Sequence, residues 1–202
     1  MNLKLVTAAV ALAASGLGYS QSASAHGVDI IGNATSVELT SFDALTGLGL
    51  SVSGLGTATI DIPGAFPVAT FAITGGSLDP NTGFATIEHD GSGLALSDGT
   101  SVVSLENFLI DTGAGVLSGD VSLNDQFVAN LELFNIGDGL ELSLTGGAAD
   151  ALNGIYGTAL PAGLEIGIAS VDVAVVPVPA ALPLMLSAMA GLGLTGWRRK
   201  TA

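Results

Sequence analysis

The sequence contains no cysteine, and between Lys4 and Arg198 it contains no lysine or arginine. The first absence excludes disulfides and thiolate metal sites. The second excludes Lys/Arg ion pairs across that whole span and leaves a phosphate loop without its lysine. Nothing there can neutralise a nucleic-acid backbone, so nucleic acid is not expected as a partner. Histidine is nearly absent too: His26 and His89 are the only two, and no His-x-x-x-His zinc pair can be formed from them. There is no Gly-x-Ser-x-Gly elbow for serine hydrolysis. Carboxylate pairs can run glycoside hydrolysis, and Glu88, Glu106, Glu132 and Glu141 are present. Acids spread along the entire chain single out no pair, and we expect no enzymatic activity and no cofactor.

What is abundant is negative charge and glycine. All 18 acids lie between Asp29 and Asp172, and the four bases are Lys4, Arg198, Arg199 and Lys200. The central region therefore carries a formal charge of −18 from those 18 acids. Self-repulsion of this size favours solubility and opposes compaction. It suits salty surroundings, where screening is short-ranged, with a cation-binding or matrix role as the alternative. Asp79, Asn81, Asp90, Asp98, Asp111, Asp120, Asp125 and Asp138 offer the hard oxygens that calcium takes. No EF-hand spacing accompanies them, and acids with glycines at β-turns arise from turn geometry alone. No metal site is therefore assigned. His89, between Glu88 and Asp90-Gly91, reads as a solvated residue at a strand end.

Both ends carry sorting features. Residues 1–25 read as a secretory signal peptide: Lys4 charges the start, Leu5 to Leu17 is apolar, and Ala23-Ser24-Ala25 is a small-residue cleavage site. Near the other end, Pro177-Val178-Pro179-Ala180 fixes an extended linker. An uncharged span from Ala181 to Gly196 follows, then Trp197 and Arg198-Arg199-Lys200. The span is just long enough for a transmembrane helix. Trp197 suits the headgroup layer and the cations suit the cytoplasmic side. The expected division is a signal peptide at 1–25, an acidic β domain at 26–175, and a sorting segment at 176–202.

The last segment resembles the VPLPA-type PEP-CTERM sorting signals of Gram-negative bacteria. Val176, Pro177, Pro179 and Ala180 match the family's Val-Pro-Leu-Pro-Ala, with Val178 in place of Leu. The resemblance implies processing by an exosortase, a membrane-embedded protease. It implies transient anchoring in the inner membrane with the body periplasmic, then a final place at the cell surface or outside the cell, with exopolysaccharide as a candidate partner.

The central region reads as β throughout. Expected strands are Val28–Leu39, Leu48–Leu55, Thr57–Ile62, Pro67–Thr74, Phe84–His89, Leu94–Ser97, Ser101–Ile110, Val116–Leu123, Phe127–Phe134 and Leu164–Val175. Leu140, Leu142 and Leu144 give the cleanest alternation. Asp79-Pro80-Asn81-Thr82-Gly83 signals a hairpin, and Asp90-Gly91-Ser92-Gly93 a further turn. A slip in apolar phase at Asn107-Phe108 predicts a bulge. Phe127, Ala129, Leu131 and Leu133 should share one face, and the parity of the last strand should change around Ala169. One helix is expected, Gly147–Tyr156. Short strands at regular turn spacing point to an all-β, antiparallel sandwich, with a barrel next. The stretch Gly75–Val121 also resembles the HtaA-type haem-binding surface domains, which implies an immunoglobulin-like sandwich. That family's haem-ligating tyrosine has no counterpart in the stretch, and Tyr156 lies elsewhere in the pattern. Two functions follow from these signals: a non-enzymatic surface or matrix protein, or a surface module binding haem, a metal ion or a glycan.

Overall fold

The computed structural model describes residues 27–123 and 126–175. Ala23 and Ala25, expected to mark signal-peptide cleavage, lie outside them. So do Val176, Pro177, Val178, Pro179 and Ala180 of the expected sorting motif, and Trp197, Arg198, Arg199 and Lys200 of the expected basic tail. Among the described residues no helix is long and apolar enough to cross a membrane.

The alternating apolar stretches become antiparallel strands: β1 (Val28–Glu38), β2 (Ser51–Gly56), β3 (Thr59–Asp61), β4 (Val68–Ala72), β5 (Gly75–Leu78), β6 (Ala85–Ser97), β7 (Val102–Asp111), β8 (Val116–Leu123), β9 (Gln126–Ile136), β10 (Glu141–Leu144) and β11 (Glu165–Val175). The hydrogen-bonded path runs β5 to β11 in chain order, and β11 then pairs with β1, which also pairs with β5 and β4. All 11 strands thus belong to one sheet that closes on itself. Two walls face each other across the core, yet they are opposite sides of that single sheet. The reason lies in β1, whose length lets it serve β5 with its start and β4 and β11 with the rest.

Two helices finish the end where β1 stops and β11 begins. The short α1 (Phe42–Gly47) buries Leu45 and has no counterpart among the expected elements. The expected helix is present as α2 (Gly146–Tyr156). Thr145 caps it by accepting from the Ala148 N–H at 3.1 Å, satisfying one of the orphan donors of the first turn. Gly157, at φ 64°, ends it in the left-handed region, where a residue without Cβ is at ease. Ala148, Ala149 and Leu152 turn inward. The Tyr156 hydroxyl donates to the Leu96 carbonyl at 2.6 Å and accepts from the Val103 N–H at 3.2 Å, which ties α2 to both β6 and β7.

Several local expectations are corrected. Phe84–His89 and Leu94–Ser97 are not separate strands but parts of β6, against whose Glu88 and Ile87 Gly75 and Gly76 open β5. Asp90–Gly93 is no turn but an interruption within a continuous β6. Phe127 and Ala129 do not share the buried face of Leu133; Phe127 is 64 % exposed. In β11 the parity changes before Ala169: the register slips between Glu165 and Gly167, leaving Ile168 largely exposed. The slip at Asn107-Phe108 is present as expected.

Candidate functional site

Four adjacent strands slip register along one line. On β6, Asp90 to Ser92 stand between the pairs His89–Phe108 and Gly93–Glu106. On β7, Asn107 and Phe108 stand between Glu106–Asp120 and Leu109–Ser118. On β9, Ala129 and Asn130 both face Asp120 of β8. A bulge bends its strand and sharpens the local twist. Three in a row, across the four adjacent strands, form a corner of the sheet, and that corner has an inner and an outer side.

On the inner side sits His89, only 1 % exposed, which corrects the reading of it as a solvated turn residue. Strand parity puts it beside Ile87, facing inward, while Glu88 and Asp90 face out. Its Nδ1 lies 3.1 Å from the Phe108 carbonyl and its Nε2 2.8 Å from the Thr35 hydroxyl. A carbonyl can only accept, so Nδ1 carries the proton and Nε2 accepts from Thr35. Burial pushes the imidazole below its ordinary value, and the Phe108 carbonyl and the Asp90 charge offset this only in part. The ring is therefore neutral at pH 7. Phe71 meets the Phe108 ring edge-on at 5.2 Å and the His89 ring at 6.3 Å. Ser92, also buried, donates to the His89 carbonyl at 3.0 Å. Among the described residues no buried side-chain polar atom lacks a partner.

The space around this cluster is small. A void of about 40 Å³ touches Thr35, Phe71, His89 and Phe108. A second, of about 70 Å³, lies under α2 among aliphatic side chains such as Leu94, Leu131 and Leu152. Both are on the scale of water molecules rather than of a cofactor pocket.

The outer side of the corner is an open groove of about 490 Å³ bearing Glu88, Asp90, Asn107, Asp120 and Asn130. Two of its side chains, Asn107 and Asp120, are engaged in hydrogen bonds. Asp120 accepts from the Asn107 side chain at 2.9 Å and from the Asn130 N–H at 3.0 Å. Asn107 accepts from the Gly91 N–H at 2.8 Å, and Thr74 from the Asp90 N–H at 2.8 Å. Asn107 and Asn130 have φ of 54° and 52°, a region that asparagine enters more readily than most residues. The groove's chemistry is thus first that of a clamp holding bulged backbone. Among the described residues no group of three or more His, Cys, Asp or Glu is placed to hold a metal ion.

Of the loop acids named from the sequence, Asp79, Asp98 and Asp111 bond to backbone N–H groups of their own turns. They are scattered around the sheet, and only Asp90 and Asp120 share a groove. Asp125 lies outside the described residues. The Thr35–His89 pairing was not foreseen; the inward parity of Ile87 and His89 was its one sequence signal.

These features define an acidic domain built on one closed antiparallel sheet with a satisfied polar cluster in its core. No protein-family pattern and no curated protein matches the sequence. Among solved structures the chain is similar to the C-terminal domain of HtaA from Corynebacterium glutamicum, at 13 % identity and a TM-score of 0.49, covering 73 % of this chain and 99 % of that one.

Proposed function

We propose that this is an exported, non-enzymatic protein of the cell surface or extracellular matrix, in which the β domain is the delivered cargo and residues 176–202 are its sorting segment. The carrying observation is the state of His89. Both ring nitrogens are committed to partners within the core, and the adjoining space is about 40 Å³. The only histidine among the described residues thus serves the fold. The acids are spread over the exterior of the closed sheet and contribute solubility. Exosortase processing accounts for a proline-rich linker, an apolar span and a basic tail in that order.

The second reading, a surface module for haem, a metal ion or a glycan, draws on the open groove of Glu88, Asp90 and Asp120. Recovering the protein from the cells that make it, and mapping its termini and any bound molecule by mass spectrometry, separates the two. We expect a chain starting at His26, lacking Arg198–Lys200 and carrying no stoichiometric ligand. Retention of the terminal cations would reject the processing, and a bound molecule in stoichiometric amount would favour the module.

A further inference from the structure

One part of the core is left unfilled. At the end of the closed sheet where β1 starts and β11 finishes, away from α1 and α2, a cavity of about 150 Å³ lies between β11 and the strands facing it. The sequence explains its presence. β11 turns Ala169, Val171 and Val173 toward it, and these short side chains do not reach Ile87 of β6 and Ile110 of β7. Ile87, Ile110, Leu142 and Ala169 are buried and form the floor, whereas Val173 is 41 % exposed and stands at the mouth. Thr112 is the one wall residue with a polar side chain. Its hydroxyl already accepts from the Ala85 N–H at 2.7 Å and donates to the Ala85 carbonyl at 3.2 Å.

Two features at this place oppose stability. Atoms lining a void forgo contacts that a filled core would give them, and longer side chains on β11 would supply those contacts. Leu140, which closes one side of the cavity, is held at φ 64°, a left-handed conformation that bulky residues rarely adopt. The turn that imposes it is locked at both ends: the Gly137 N–H donates to the Glu141 carbonyl, and the Leu140 N–H to the Gly137 carbonyl. Strained backbone of this kind collects at ligand clamps.

We propose that this cavity binds a small, neutral, apolar molecule of the size of benzene. Volume sets the size, since an apolar cavity of about 150 Å³ in an unrelated protein stays dry and takes up benzene. The lining sets the polarity, because a polar group on the ligand would be buried there without a partner. Charge excludes anions. Asp111 precedes Thr112, Asp172 separates Val171 from Val173, and Asp138 stands close before Leu140. No lysine or arginine between Lys4 and Arg198 offsets these carboxylates, so an anionic ligand is repelled where a neutral ring is not. A ligand of so few atoms has limited affinity and is lost during isolation, so protein recovered empty is consistent with the site. The inference goes beyond the sorting reading and does not rest on it.

The test is a titration of the full chain with benzene, followed by methyl NMR and thermal melts. Shifts should saturate at Ile87, Ile110, Ile136 and Leu142. Leu96 and Leu152, which line the separate void under α2, should not move. The melting midpoint should rise with benzene, and benzoate at matched ionic strength should produce neither effect. Val171→Phe and Ala169→Val each fill the cavity from β11, and each should weaken benzene binding about tenfold or more with an unchanged circular dichroism spectrum. Should the larger change prevent folding, Ala169→Val decides alone. Leu140→Gly, at home at φ 64°, removes one wall and should weaken binding while the chain still folds. Shifts that never saturate, or equal shifts at Leu96 and Leu152, would overturn the proposal. So would benzoate binding as well as benzene, or a folded cavity-filling variant that keeps the parent's affinity.

Discussion

Thr35 and His89 lie 54 residues apart in sequence, and a 2.8 Å hydrogen bond between their side chains joins β1 to β6 across the core. The bond makes the core sensitive to pH. The folded state holds His89 below its ordinary value, whereas the unfolded chain protonates it normally near 6.5. As pH falls through that value the unfolded state takes up a proton that the folded state refuses, so stability drops. Above about pH 7.5 both states are neutral and the full contribution is present. Denaturation midpoints should therefore fall between pH 7 and pH 5, and His89→Phe should flatten that slope. Asp79 and Asp98, lowered by backbone N–H donors, titrate in a separate window below the ordinary carboxylate range. Thr35→Val should cost about 1–3 kcal/mol at pH 7 by leaving Nε2 buried without a donor.

Tyr156 should anchor α2 through its hydroxyl. Tyr156→Phe keeps the ring but removes the bonds to Leu96 and Val103, and we expect a loss of about 1–2 kcal/mol. Thermal melts of the two proteins measure it. An unchanged midpoint would show that ring packing alone holds the helix.

Neutralising acids should have two opposite effects. Asp43→Asn, at the exposed α1, removes one of many repelling charges and should leave stability unchanged or raise it slightly, by less than about 0.5 kcal/mol. Asp120→Ala removes the same charge but also the acceptor shared by Asn107 and Asn130, and should destabilise by about 1–3 kcal/mol. If both variants melted above the parent, the clamp would contribute nothing. Sodium chloride should raise the melting temperature of the parent smoothly as screening tightens. Saturable stabilisation by stoichiometric Ca²⁺ at matched ionic strength would point to specific binding instead.

Gly119 is a position where the inner side of the sheet corner leaves no room for a side chain. A Cβ there would stand 2.9 Å from the Phe108 ring and 3.1 Å from Leu133, so Gly119→Ala should force the core apart at a cost of about 1–3 kcal/mol. Pairing it with Phe108→Leu should recover part of that loss, which a double-mutant cycle would read.

Local alternation in the sequence carried most of the strands. Leu142 and Leu144 are buried as their spacing requires, and the phase slip at Asn107-Phe108 marks a true bulge. Asp90-Gly91-Ser92-Gly93 misled because the same residues suit a turn and a bulge. The choice between them is made by Thr74 and Asn107, which are distant in sequence and bond to Asp90 and Gly91. Simple period-two counting from Leu133 puts Phe127 on the inner face, and the extra residue opposite Asp120 breaks that count. Burial of His89 needed a partner on β1, and the pairing of strands across a closed sheet cannot be read from either strand alone.

The pairing of β1 with β11 also sets the order in which the domain can be made. The first strand pairs with β4 and β5 early, but its other side finds β11 only when residues 165–175 are present, and until then that long side of β1 is open. A chain delivered from its N-terminus therefore stays unfinished until nearly its last domain residue arrives. Contacts of such large sequence separation are slow to form, and unpaired edges on the growing chain invite wrong partners meanwhile. Completion is a single late event, and any truncation before Glu165 should leave an aggregating fragment rather than a smaller domain.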